Sequence, residues 1–429
     1  MSAAYRFELR KLLATWRTRT LLLLCWSVPG VLVAAISRQG NLPADTVFGR
    51  WMGTTGWAGS LVVLSFCCSW VLPLLASVVA GDAFAVEDRL GTWRHLLVTV
   101  RSTRRIFAAK ALASLTLVAL LVAGLAASST VGGILAAGAG PLVDLDGQTL
   151  APRDAAVRVL LSWLLALAPT VAFAGLGLLG SVALGRSTTG LLLPALAAMA
   201  LQLVSLLALP VALRASLPSY GFLTWRGLFT DPGQAAPVAI GLAVSLGWLV
   251  VTVAVAAWLF RTRDFAEADG LGAGALPRAV LPLAALLAVS VAGVASATPA
   301  AGRGIDRPRL ERSLATAFGH LYRLQSRELH RPDVTEDDLH ATAACDKGGS
   351  LVDDVGPGND WRCVVTWHLP HVTATGTAVY QLQVSADGRY VADGDGPQAV
   401  NGSFPVATPD GVEPNPLWQL DGYLDLLST

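Results

Sequence analysis

The sequence predicts an α-helical polytopic membrane protein that carries a small α+β domain at its C-terminal end. Two observations set the membrane part. Hydrophobic residues make up 53% of the chain and charged residues 14%, with a mean hydropathy of +0.55, outside the range of ordinary soluble domains. Apolar runs near 20–37, 57–80, 106–136, 156–184, 188–213, 237–260 and 279–298 are each long enough, or nearly so, to cross a bilayer core, which takes about 20 helical residues. The third observation is a change of character near Thr298, after which Asp, Arg, Gly and Pro dominate and no further apolar run follows. A net charge of +1 argues against nucleic acid as a partner, because that role needs a concentrated basic face. Of the 31 basic residues only Lys11, Lys110 and Lys347 are lysines. That bias, with abundant Ala, Leu, Val and Gly, fits a bacterium of high GC content.

Residues 1–20 are basic and amphipathic. Tyr5, Leu9, Leu12, Leu13 and Trp16 can share one helical face, while Arg6, Arg10, Lys11, Arg17 and Arg19 face headgroups and water. Such a helix lies in the membrane interface. A secretory signal is the competing reading, yet no small-x-small cleavage site follows Ile36. The first span contains Pro29-Gly30 and is short; the junction at 185–187, between the fourth and fifth spans, is the weakest in the topology.

The chain's densest charge cluster lies between the second and third spans, in GDAFAVEDRLGTWRHLLVTVRSTRRIFAAK at 81–110. It holds Asp82, Glu87, Asp88, Arg89, Arg94, Arg101, Arg104, Arg105 and Lys110. Short loops rich in Arg and Lys stay cytoplasmic. The charges of the other loops agree: a cytoplasmic N-terminus and seven spans put the C-terminal domain outside. Residues 83–98 read as one short amphipathic helix, with Phe84, Val86, Leu90, Trp93, Leu96 and Leu97 apolar. Two readings stay open here: a docking element for a soluble partner, or a solvated loop whose arginines only set topology.

The segment 214–236 is unusually aromatic, and Tyr220, Phe222, Trp225 and Phe229 suit interfacial or re-entrant turns. A lid over an exit path and an inert aromatic belt are both open. Asp144, Asp146 and Asp154 fall in the loop after the third span and read as solvated.

In 299–429, helical spacing of Leu310, Leu314, Phe318, Leu321 and Leu324 predicts a helix over 306–330. Thr335–Asp338 opens a second helix, running to near Cys345. Trp361–Leu369 and Ala378–Val384 read as strands, and Asp387-Gly388 as a hairpin turn into Arg389–Ala392. Cys345 and Cys363 are the only cysteines of this domain. An isolated pair in an exported domain forms a disulfide. Cys25, Cys67 and Cys68 lie in spans as small apolar residues. The scattered histidines offer no metal-ligand spacing, so no metal is expected. No Gly-Lys dipeptide exists, which removes a phosphate-binding GxxxxGK[ST] loop, and neither GxSxG nor HExxH occurs. The spans carry almost no ionisable residues inside, which argues against an ion-coupled carrier.

The basic N-terminal helix with its ELRKL run, two spans, and the EDRLGT run at Glu87–Thr92 together resemble the permease subunit of type-2 ABC transporters. In that family the second span leads into a cytoplasmic coupling helix with a pattern like E-x-x-x-G-T-x-x-x-L-L, then usually Pro-x-x-R and a Lys opening the third span. Glu87, Gly91, Thr92, Leu96, Leu97 and Lys110 match in order, and Arg101 or Arg104 stands for the family's Arg. Val100 occupies the usual Pro position. The resemblance covers 1–260, a six-span exporter-type core; the cytoplasmic linker and seventh span at 261–298 and the outer domain at 299–429 lie beyond it.

The resemblance implies a chain of the bacterial cytoplasmic membrane that binds no cofactor and is no enzyme. ATP and Mg²⁺ would sit on a separate ATPase subunit, and a second permease chain, same or related, would complete the path among the membrane lipids. The coupling helix near 83–98 would dock on the ATPase through Glu87, Asp88, Gly91, Thr92, Trp93, Leu96, Leu97, Arg101 and Arg104. Apolar spans tilt the cargo toward a hydrophobic or amphipathic drug, peptide, lipid or glycan, with export the family's habit. The competing reading is a membrane-anchored envelope sensor or assembly protein whose outer domain binds a ligand or partner.

Overall fold

The computed structural model describes residues 2–39, 42–43, 46–100, 102–184, 189–263, 275–298, 304–349, 352–409 and 411–427. The chain opens with the basic helix α1 (Ser2–Ala14). Thr15 ends it and caps α2 (Trp16–Ser37), its side chain accepting the Thr18 N–H.

The second span is one continuous helix of 35 residues, Gly56–Leu90, built from α3 (Gly56–Phe66), a widened π-turn at Cys67–Val71 and α4 (Leu72–Leu90). Pro73 follows the wide turn. Its missing N–H and its ring disrupt regular i→i−4 bonding there, and a one-residue widening absorbs the disruption. The short helix α5 (Trp93–Val100) and the long α6 (Thr103–Ala137) follow. A small hairpin, β1 (Leu142–Val143) with β2 (Thr149–Leu150), joins α6 to α7 (Pro152–Leu184).

Next come α8 (Thr189–Leu206), α9 (Val211–Ala215), two 3-10 turns at Pro218–Phe222 and Thr224–Phe229, α10 (Ala235–Thr262) and α11 (Ala275–Ala297). Among the described residues six helices are long and apolar enough to cross a membrane. The expected fifth span, 188–213, is shorter than that: its apolar helix covers Leu192–Leu206, and the chain leaves the helix before Pro210. The junction 185–187 and the linker 264–274 lie outside the described residues.

In the bundle α7 packs between α4 and α10, while α6 packs on α1, α2 and α3. Glycines let α6 close on its neighbours: a Cβ at Gly132 would meet the Gly30 backbone at 2.3 Å, and one at Gly133 the Gly56 carbonyl at 2.3 Å. Such small-residue contacts drive helix association in lipid, where apolar burial alone gains little. Leu23, Val31, Leu196, Leu281 and Val289 stay exposed on α2, α8 and α11. An apolar surface of this extent needs hydrocarbon around it. The chain is thus a mostly helical protein compatible with several passes through a membrane, with a small sheet domain at its end.

That domain opens with α12 (Arg307–Glu328), capped by Asp306, whose carboxylate accepts the Arg309 N–H at 3.0 Å. A capping box at Thr335 and Asp338 starts α13, which covers only Glu336–Leu339. The helix expected to run on to Cys345 gives way to β3 (Thr342–Lys347). The sheet continues with β4 (Gly358–His368), β5 (Thr375–Val384) and β6 (Arg389–Gly394). After α14 (Gln398–Asn401) and a separate hairpin of β7 (Pro405–Thr408) with β8 (Gly411–Pro414), β9 (Gln419–Tyr423) completes an antiparallel sheet in the order β3-β4-β5-β6-β9.

Leu310, Leu314, Phe318 and Leu321 of α12 pack in one core with Trp361, Tyr380 and Tyr390 of the sheet. The Asp387-Gly388 hairpin turn stands where the sequence predicts it, with Gly388 at φ 89°. Cys345 faces Cys363 across β3 and β4 and forms the disulfide.

Candidate partner-docking site

The end of the second span organises this region. Gly91 sits at φ 64° and ψ 24°, a left-handed conformation that suits glycine, and ends α4. The Thr92 N–H reaches back to the Glu87 carbonyl at 3.1 Å and the Gly91 N–H to the Asp88 carbonyl at 3.4 Å. This is a Schellman cap. The single helix expected over 83–98 is therefore an elbow: the last turns of α4, the cap, and then α5. Arg101 lies outside the described residues.

Beneath the elbow four charges converge. Glu87 is 1% exposed and accepts from Lys110 Nζ at 2.8 Å, from Lys11 and from the Thr92 hydroxyl. Lys110 is also buried and reaches Glu8 at 3.1 Å and the Ala83 carbonyl at 3.4 Å. Two carboxylates thus meet two ammonium groups, and α1, α4 and α6 are tied together. Without partners the three buried charges, Glu8, Glu87 and Lys110, would each cost several kcal/mol.

A second tie runs through Asp88. Arg263, just after α10, donates to both of its oxygens at 2.6 and 3.1 Å, and Trp93 Nε1 donates at 2.6 Å. The Trp93 ring packs against Phe84 and Phe260, with centroids 6.2 and 5.4 Å away. α5 is therefore seated on the bundle by an aromatic cluster.

This geometry redistributes the residues expected to meet an ATPase. Glu87 and Trp93 are buried, Asp88 and Thr92 are half-buried, and Leu96 and Leu97 pack partly against the core. They build the elbow from inside. Its outer surface instead carries Arg89, Leu90, Gly91, His95, Val98, Arg104 and Arg105, all exposed, with Leu90 at 61% and Val98 at 78%. Among the described residues, Gly91 and Arg104 belong to both sets. Leu90 and Val98 were legible as apolar positions, but the turn at Gly91 decides which apolar side chains face out. Glu8, Lys11 and Arg263 carry no sequence signal as partners, since they lie 102, 76 and 175 residues from Lys110, Glu87 and Asp88 respectively.

At the opposite end, Tyr220, Phe222, Trp225 and Phe229 are buried. Each is at most 3% exposed. Trp225 and Phe229 pack with Phe48 at centroid distances of 6.4 and 5.0 Å, and Phe222 packs on Phe173 at 5.7 Å.

The sheet domain closes over this layer. Arg226 pairs with Asp387 and Arg214 donates to the Ala386 carbonyl, both at the β5–β6 turn. Arg50 Nη2 lies 3.4 Å from Asp421, and Gln234 Nε2 donates to the Tyr423 carbonyl at 2.9 Å. Asp387 holds its proton less tightly than usual: Arg226, its own hydrogen bonds and Arg214 together outweigh its burial, the largest single effect.

The seam also buries Asp144 and Asp146, which the sequence places in solvent; Asp154 is exposed as expected. Burial and the neighbouring Asp146 push the Asp144 carboxyl up to about 8, and burial and Asp231 push Asp146 up to about 7. Arg158 stands 3.8 Å from Asp144, beyond hydrogen-bond reach. The residues that bury this pair, from α12 and the 230–234 loop, are distant in sequence, so composition offered no signal.

Among the described residues no group of three or more His, Cys, Asp or Glu side chains is placed to hold a metal ion. No protein-family model matches the chain, and no curated protein matches it either.

Proposed function

We propose that this chain is the membrane subunit of a type-2 ABC transporter, driven by a separate ATPase that docks on the α4–α5 elbow. The observation that carries the reading is the elbow itself: the EDRLGT run forms a helix end, a glycine cap and a short amphipathic helix with exposed apolar and cationic side chains. A partner pressing on Leu90, His95, Val98 and Arg104 would move α5. The buried charges would pass that motion to α1 and α6 through Glu87, and to α10 through Asp88.

In this reading ATP and Mg²⁺ belong to the partner, and a second permease chain completes the path. The elbow and N-terminus are cytoplasmic, and the disulfide-bearing domain is outside, where an oxidising environment keeps such a bond. The cargo is hydrophobic or amphipathic and the direction is export.

Purification from native membranes tests this, with Leu90→Glu and Val98→Glu beside the unchanged chain. The expected outcome is an ATPase that co-purifies with the unchanged chain and is lost or uncoupled in both variants, while their thermal unfolding shifts little. Surface changes of this kind move stability by less than about 0.5 kcal/mol. A homomeric preparation without ATPase activity would overturn the reading and favour an envelope sensor.

A further inference from the structure

A polar crevice of about 470 Å³ lies between the β1–β2 turn, the loop before α10, α12 and the segment after β9. Two buried side chains on its wall lack a donor. Asp146 is 6% exposed; its Oδ2 accepts the Asp231 N–H at 2.7 Å, while Oδ1 has no hydrogen-bond partner among the described residues. Gln234 is 9% exposed; its Nε2 is engaged by Tyr423, and its Oε1 likewise has no partner. A buried polar atom left unpaired costs about 1–3 kcal/mol. Two such atoms on residues that line one crevice, both acceptors, call for a ligand that donates.

The charge balance specifies the donor. Asp231 and Asp425 also line the crevice. Of the two guanidinium groups there, Arg309 is spent on the Gly304 and Asp425 carbonyls at 3.0 and 3.2 Å and lies 3.5 Å from Asp306, whereas Arg312 is exposed at the rim. The floor is thus negative and rich in acceptors, with one positive side chain at the edge. Ala235 and Ala236 in the first turn of α10 complete the lining. They bring the positive end of a helix dipole, and they fix the depth. α10 is long and apolar enough to cross a membrane, so its first turn lies at the headgroup level.

We propose that this crevice binds a phosphoethanolamine group, its primary ammonium donating to Asp146 and Gln234 and its phosphate resting between Arg312 and the α10 N-terminus. Its source is the headgroup of a surrounding lipid or a free zwitterion of the same chemistry. The site depends on the membrane reading but not on the transporter reading, so either can fail alone. A site made of acceptors must reject choline, which has the same charge and no N–H.

The test uses the full chain in nanodiscs of phosphatidylglycerol doped with phosphatidylethanolamine or phosphatidylcholine. Retained lipid is read by native mass spectrometry. The expected result is phosphatidylethanolamine retained over phosphatidylcholine by about tenfold, the scale of one charge-assisted hydrogen bond, and that preference lost in Asp146→Asn but kept in the exposed control Asp154→Asn. Displacement by free phosphoethanolamine supports the site and identifies a soluble source; retention against it supports the site and identifies the lipid. Equal retention of the two lipids by the unchanged chain, or a preference that survives Asp146→Asn, would overturn the proposal. The unchanged chain alone decides the first point, should the variant fail to fold.

Discussion

Both ends of the helical bundle bury paired charges, but only the seam with the sheet domain also buries two neighbouring carboxylates. Under the elbow, Glu8 and Glu87 meet Lys11 and Lys110, and each carboxylate has an ammonium partner. At the seam with the sheet domain, Arg226 pairs with Asp387 and Arg50 with Asp421, but Asp144 and Asp146 sit side by side with only Arg158, 3.8 Å from Asp144, to offset them among the described residues. Matched burial makes a joint that holds several helices in fixed relation. Unmatched burial leaves free energy that a proton, a ligand or a movement can release.

The largest expected effect breaks the matched end. Lys110→Ala strands the buried Glu8 and leaves Glu87 with only Lys11 and Thr92, and should cost about 3–5 kcal/mol, read as a drop in thermal midpoint of the detergent-solubilised chain. Adding Glu87→Gln to it should recover part of the loss. If Lys110→Ala alone were neutral, the joint would not be the tie described.

The unmatched end should respond to pH. The Asp144 carboxyl titrates near 8 in the folded chain, against about 4 when unfolded. Between those values the folded state binds the extra proton, so stability is greatest toward the acid side and falls as pH rises toward 8. The groups facing Asp144 are Asp146, Arg158 and the N–H groups of Asp146 and Gln148. Thermal midpoints measured from pH 5.5 to 8.5 should decline, and Asp144→Asn should flatten the slope and raise stability at the alkaline end. A rising profile in the unchanged chain would remove the contrast between the ends.

The smallest effect sharpens the elbow. A Cβ at Gly91 meets nothing within 4 Å, so Gly91→Ala should cost only the left-handed backbone, about 1–2 kcal/mol. The loss of coupling to a partner should exceed this modest cost, because the cap sets the angle of α5. A variant that keeps full ATPase coupling would show that the angle does not matter.

Sequence legibility follows the range of the forces involved. The long helices and the Asp387-Gly388 turn rest on local patterns, and they stand close to where apolar runs and turn residues put them. The disulfide followed from having just two cysteines in the C-terminal domain. What failed to show was long-range. Asp144 and Asp146 look like solvated loop residues until α12 closes over them, and the rings of Tyr220, Phe222, Trp225 and Phe229 look interfacial until Phe48 and the sheet domain cover them. Glu87 looks like a surface charge because its partners lie on other helices. Gly91 was visible as part of a motif, yet its role in breaking 83–98 in two depends on a backbone angle.

The most direct test of the central claim is a photo-crosslinking amino acid placed at Val98 on the elbow, with Val412 on the far domain as the control; both side chains are strongly exposed, at 78% and 76%. Irradiation in native membranes should attach an ATPase subunit at Val98 and none at Val412. Crosslinks at Val98 to lipid or to this chain alone, with no ATPase captured, would contradict the account.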